Sequence, residues 1–275
     1  MRSLPIGVAM VLYACSSSTS TEEGSGGSAG TATTAGNGGT AAGGGGAATR
    51  GTECDPLQGF ADPVLERVVR EALGVEADEA LDVAQLASLT ELEYIRGDDG
   101  DPIRDLSGME CLTGLAKLTL DARYLDDAEA DGISDVSPLA GLANLRQLTI
   151  QDAAFDLAPL GNLIGLQVLR LDYAVPGTME DPGSLDALAP LVNLTLLDAS
   201  DGCIEDISAL AGMVELEELD LYSNCIRDLG PLEGLTKLRQ IDLSDNYYDC
   251  SEVEESLAVL RGNGTTVTDD CSDSD

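Results

Sequence analysis

The sequence predicts a solenoid of short stacked coils, each giving one strand to a single parallel sheet, and three observations predict it. Seven stretches fit one template, I-x-x-L-x-x-L-x-x-L-x-x-L-x-x-L-x-L, starting at Ala80, Ile103, Ile133, Ala154, Pro182, Ile204 and Ile226, with spacings of 23, 30, 21, 28, 22 and 22 residues. Of the 49 template positions, 44 are Ile, Leu, Val or Met, where random placement in a chain that is 43% hydrophobic would put about 21. Both flanks of the repeat change to other periods, as an open stack with two exposed ends requires.

Residues 1–14 carry one positive charge, at Arg2, and a short apolar run from Leu4 to Tyr13. That run is far below the ~20 residues a membrane-spanning helix needs, so the segment reads as an export signal. Leu12-Tyr13-Ala14-Cys15 resembles a bacterial lipobox, with Tyr13 where a small residue is usual. The resemblance implies that Cys15 is acylated and becomes the first residue of the mature chain. Ser16 resembles the outer-membrane sorting pattern. Residues 15–53 continue as Ser, Gly, Thr and Ala with no apolar face to bury, which predicts a disordered tether holding the folded part about 35 Å from its anchor.

Residues 54–79 read as an N-terminal cap helix. Asp62 and Pro63 suit N-cap and N1, Val64, Leu65, Val68, Val69, Ala72 and Leu73 recur at helical spacing, and Gly74 stops the run. Residues 80–247 hold the repeats. The clearest pair needs no gap: Ile204 to Leu221 followed by Ile226 to Leu243. The L-x-L segment alternates with period 2 and predicts strands near Lys117–Leu120, Gln147–Ile150, Val168–Leu171, Leu196–Ala199, Glu218–Leu221 and Gln240–Leu243. The three-residue spacing before each strand suits 3₁₀-like turns. Residues 248–275 read as a C-terminal cap and acidic tail, with Val253, Leu257, Val259 and Leu260 on a helix and a strand at Thr265 to Thr268.

The unit ending L-x-x-L-x-L-x-x-N, as in Leu216 to Asn224 and Leu238 to Asn246, resembles the leucine-rich repeat. The 22-residue period with openings such as Ile204-Glu205-Asp206-Ile207 and Ile133-Ser134-Asp135-Val136 resembles the bacterial internalin type, and Phe60-Ala61-Asp62 is similar to that family's N-terminal cap. The implied fold is a leucine-rich repeat solenoid with a curved parallel sheet on its concave side. One departure is Gly202, which stands in an Asn slot.

Six cysteines remain once Cys15 is set aside, an even number in an exported chain, which favours disulfides. Cys203 and Cys225 occupy the same slot in adjacent coils, about 4.8 Å apart by strand spacing and within disulfide range. Cys250 and Cys271 are expected to pair by proximity, leaving Cys54 for Cys111.

There are 50 Asp and Glu against 14 Lys and Arg, a formal charge of −36. Nucleic acid and anionic membrane are therefore poor partners, and membrane contact is expected only through the lipid anchor. Histidine is absent, which removes Ser-His-Asp, Cys-His and His-containing zinc sites together. No phosphate-binding glycine motif lies between a strand and a helix. The chain is read as not an enzyme, with no cofactor. Asp127, Glu129 and Asp131 before Gly132, with Asp135, resemble the opening of a calcium loop, but Pro138 takes the place of the closing Glu. A solvated acidic loop is the main reading there, and calcium is the alternative.

The function expected is a binding module in the bacterial cell envelope, an outer-membrane lipoprotein or otherwise exported. It would recognise a neutral or basic protein or glycan and act as a monomer. The alternative is a structural envelope spacer without a specific ligand. Contacts are expected from outward sheet positions, Lys117, Arg170, Asp198, Asp220, Tyr222 and Asp242 among them. Two insertions at the strand ends, carrying Tyr124 and Leu125 and then Tyr173, Val175, Pro176 and Met179, are expected to overhang one rim.

Overall fold

The computed structural model describes residue 54 and residues 59–96, 101–121, 132–151, 155–175, 177–178 and 182–271. Eight strands form one parallel sheet in the order β1 (Glu91–Ile95), β2 (Lys117–Asp121), β3 (Gln147–Gln151), β4 (Val168–Arg170), β6 (Leu196–Asp198), β8 (Glu218–Asp220), β9 (Gln240–Asp242) and β10 (Thr266–Thr268). This is the leucine-rich repeat solenoid. Each coil runs from a strand through a rim corner and a 3₁₀ turn back to the next strand, and its template leucines are buried against those of its neighbours. No coil closes a core alone; the core is a continuous column of leucine layers.

The Asp of the I-x-D opening has a mechanical role. Its Oδ1 accepts the backbone N–H two residues on, at or just before the start of the 3₁₀ turn: Asp105 from Ser107, Asp135 from Ser137, Asp156 from Ala158, Asp206 from Ser208 and Asp228 from Gly230. In the coil that opens Pro182-Gly183-Ser184, which lacks the Asp, Ser184 Oγ accepts from the Asp186 N–H instead. These short side chains satisfy an orphan donor at the start of each turn.

The first coil departs from the expected register. Leu92 and Tyr94 pair with Leu118 and Leu120, while Ile95 faces Asp121 and is 59% exposed. The template therefore begins at Ala77 there, not Ala80, and β1 is a strand that the sequence reading lacked. A slip of three residues leaves every x-x-L triplet in place, so only the closing L-x-L reveals it. Below β1, Val83–Ser88 forms a helix (α2) rather than a 3₁₀ turn, started by a reciprocal cap between Asp82 and Gln85.

The rim corners are of two kinds. In the last two full coils Asn224 and Asn246 are buried or half-buried rungs. Asn224 Nδ2 donates to the carbonyls of Ala199 and Leu221, and its Oδ1 accepts from Gly202 and Ile204. Asn246 repeats this with Leu221, Leu243 and Ile226. Gly202 has no room for an Asn, since a Cβ there would lie 2.9 Å from Val175. The second insertion folds back into that space, with Ala174 and Val175 in the core. Gly177 passes so close to the backbone of Gly202, Gly183 and Cys203 that a Cβ would meet the Gly202 carbonyl oxygen at 2.6 Å. Val175, expected as a partner contact, is a packing residue, 6% exposed. Beside it a second, unexpected sheet pairs β5 (Gly183–Ser184) with β7 (Ile204–Asp206).

Caps close both ends. Helix α1 (Pro63–Leu73) buries Val64, Leu65, Val68 and Val69 and stops at Gly74 in the left-handed conformation. Helix α3 (Cys250–Gly262) buries Val253, Leu257 and Leu260, and β10 then adds to β9 in parallel. Disulfides join Cys54 to Cys111, Cys203 to Cys225 and Cys250 to Cys271, with Cα separations of 4.6, 4.8 and 5.5 Å.

Candidate binding face

The pleat turns alternate side chains of each strand away from the leucine layers, and the pairing register aligns them into columns. One column reads Lys117, Gln147, Val168, Leu196, Glu218, Gln240; the next reads Thr119, Thr149, Arg170, Asp198, Asp220, Asp242. Successive rungs are about 4.8 Å apart, so Arg170 stands beside Asp198 and three carboxylates follow in line. These four residues, with Leu196, Glu218 and Gln240, surround a hollow of about 210 Å³. Lys117 lies two strands away from Arg170 and outside the hollow.

Each ladder Asp also ends its strand. Asp198, Asp220 and Asp242 accept with Oδ1 the N–H of Ser200, Tyr222 and Ser244 at 3.3, 3.0 and 2.9 Å. Burial is the largest influence on Asp220 and raises its pKa; the Tyr222 N–H opposes it, while Asp198, Asp242 and Asp201 push it further up. The row is thus held together by the fold against its own repulsion.

Tyr222, expected among the outward positions, belongs to a third column, Asp121, Gln151, Asp172, Ser200, Tyr222, Ser244, in which Asp121, Gln151 and Ser200 are buried. The strand bends into the rim corner there, and the polar groups turn to one another. Gln151 Nε2 and Ser200 Oγ both donate to the Asp172 carboxylate, and Ser200 Oγ lies 2.8 Å from Asp198 Oδ1. Asp172, Tyr222 and Ser244 remain partly exposed.

Beyond that column, Tyr173, Asp201, Ser223 and Asp245 occupy one left-handed corner of four coils, with φ of 54, 56, 55 and 56°. Tyr173 is 57% exposed and shares a hydrogen bond with Asp201. The Asp201 pKa is raised, mainly by burial, against the bonds from Ser223 and Tyr173. Tyr222 bonds the Asp245 carboxylate, which pushes its hydroxyl up to about 12. The sequence reading missed Asp201 and Asp245. Their signal is positional, one residue past the third column.

Tyr124, Leu125, Met179 and Pro176, and the calcium candidates Asp127, Glu129 and Asp131, lie outside the described residues. Asp135 is placed, and its Oδ1 serves the turn at Ser137. Among the described residues no group of three or more Asp, Glu, His or Cys is arranged to hold a metal ion.

The family model for Leucine Rich repeats (2 copies) matches residues 214–253. No curated protein matches the chain. The chain is similar to the crystal structure of internalin C2 from Listeria monocytogenes, at 23% identity and a TM-score of 0.56, over 78% of this chain and 96% of that one. A second Listeria monocytogenes internalin, inlF, gives 23% identity and a TM-score of 0.45 over 78% and 70% of the two chains.

Proposed function

We propose that the chain is an exported binding module that recognises a neutral or basic protein, or a glycan, through the concave face between Arg170 and Asp242. The observation that carries this reading is the row Asp198, Asp220, Asp242 around an open hollow. The Asx turns need one oxygen acceptor per strand, which Asn supplies equally well, yet three neighbouring coils carry a full charge. Tyr173 and Tyr222 at the adjoining corner add aromatic surface suited to a cationic side chain. In this reading the protein is not an enzyme, uses no cofactor and acts as a monomer.

The same proposal gives residues 1–14 to an export signal, Cys15 to lipidation and the segment up to residue 53 to a tether that holds the module off a bacterial envelope membrane. The three disulfides support an oxidising compartment. Globomycin is expected to block processing in the native host and leave the uncleaved precursor. A mature chain beginning anywhere but Cys15 contradicts the anchor.

For the binding role, the mature chain and its Asp198→Asn/Asp220→Asn/Asp242→Asn variant are used in parallel to capture partners from envelope extract and surrounding cells. A protein or glycan retained by the first and lost by the second is expected. No specific retention by either is what a spacer would give, and a partner retained equally by both contradicts the aspartate row as the contact.

A further inference from the structure

The turn that leads into each strand brings a second surface to the opposite rim, where the strands begin. Leu166, Leu194 and Leu216 close these turns by donating to Leu163, Leu191 and Met213 at 2.9, 3.1 and 3.0 Å. Ile164, Val192 and Val214 are therefore corner residues of three successive coils. The corners stack in register, Asn193 Nδ2 donating to the Ile164 carbonyl at 2.9 Å. The three side chains are 62%, 46% and 48% exposed.

Nothing in the repeat asks for an aliphatic side chain there. The same slot holds Thr113 and Thr236 in other coils, and threonine is the near-isostere of valine. In two of these coils no side chain between corner and strand is ionisable, from Ile164 to Val168 and from Val192 to Leu196; charge flanks the patch, with Arg146 against Gly165 on one side and Glu215 and Glu217 beyond Val214 paired with Lys237 and Arg239 on the other. Val168 and Leu196, both partly exposed, carry the apolar strip from the rim onto the sheet. Leu196 is shared with the aspartate hollow, so the two surfaces are continuous. Contiguous exposed aliphatics of this kind mark interaction sites.

We propose that the rim and the hollow take a single occupant, a protein segment with aliphatic side chains followed by lysine or arginine. This rests on the binding role proposed above and names the chemistry of the partner. Aliphatic groups cover Ile164, Val192 and Val214 and continue over Val168 and Leu196. The basic groups that follow reach Asp198, Asp220 and Asp242, whose mutual repulsion they relieve. An acidic or purely polar segment meets either like charge or an apolar strip it cannot use.

Calorimetric titration of the full chain tests this with two synthetic peptides. One has leucines spaced through its first half and lysines in its second; the other has serine in place of each leucine. The leucine peptide is expected to bind roughly tenfold tighter or more, from burial of the three corner side chains. Ile164→Thr/Val192→Thr/Val214→Thr, which copies a residue the repeat already uses there, is expected to erase that advantage without moving the melting temperature. Asp198→Asn/Asp220→Asn/Asp242→Asn is expected to weaken both peptides. If the advantage survives the threonine substitutions, if wild type shows none, or if neither peptide binds at millimolar concentration, the rim inference is overturned. If the threonine variant erases the advantage while the asparagine variant binds both peptides as wild type does, the rim stands and the concave-face reading falls.

Discussion

Leu216→Asp is expected to unfold the coils around β8. Leu216 is fully buried, and its slot in the adjacent coils is filled by Leu194 and Leu238, at 0% and 2% exposure. The substitution removes about 2–5 kcal/mol of packing and adds a carboxylate with no partner in an apolar layer. The total, on the order of 5 kcal/mol or more, matches the whole stability of a typical domain. Since coils are held only by their neighbours, the loss separates the C-terminal cap from the N-terminal coils. Guanidinium unfolding followed by far-UV circular dichroism is expected to show an early transition absent from wild type. An unchanged midpoint contradicts the register of the repeat.

Asp62→Ala is expected to cost on the order of 3 kcal/mol at neutral pH, from a lost N-cap and lost charge-assisted bonds. Asp62 is 7% exposed and acts in two places. Its Oδ1 accepts from Val64 and Leu65 in the first turn of α1, at 2.8 and 3.1 Å. Its Oδ2 accepts from Arg104 and Asp105 of the next coil, at 2.8 and 3.4 Å. Burial alone would raise its pKa, but the four N–H groups of Arg104, Leu65, Val64 and Asp105 together hold it below the ordinary carboxylate value. A carboxylate depressed in the folded state stabilises fully above its unfolded pKa, near 3.8, and loses that contribution as pH falls through the lower folded value. The stability gap between wild type and Asp62→Ala is therefore expected to be full at pH 7 and to narrow below about pH 4. Urea midpoints measured at several pH values check it, and a gap as wide at pH 2 as at pH 7 contradicts the carboxylate's role.

The repeat and the sheet columns were legible because a 22-residue period repeats both the leucines and the outward slots between them. What escaped the sequence has physical causes. The triplet spacing hides a three-residue slip, so the first coil was placed at Ala80 and β1 went unseen. Asp62 reads as an N-cap, yet its second oxygen serves a coil more than 40 residues on, which no local pattern encodes. Val175 sits in a polar insertion and looked exposed; its burial depends on the hole left by Gly202, at the corner of the next coil. The rim residues Ile164, Val192 and Val214 were visible as x positions of the template. Apolar identity at an x position becomes a signal only once the structure shows those corners open to solvent.

The most direct test of the concave face as a binding site sets stability against capture in one variant, Asp198→Asn/Asp220→Asn/Asp242→Asn. Like charges facing one another on adjacent strands destabilise by a few tenths to about 1 kcal/mol, and burial together with these neighbours raises the Asp220 pKa. Removing the charges is therefore expected to raise the melting temperature at pH 7, with the gain shrinking as pH falls and Asp220 takes up a proton. The same variant is expected to lose the partner that the wild-type chain retains. A lower melting temperature with capture intact would mean that the aspartates serve the fold alone, and it would contradict the account.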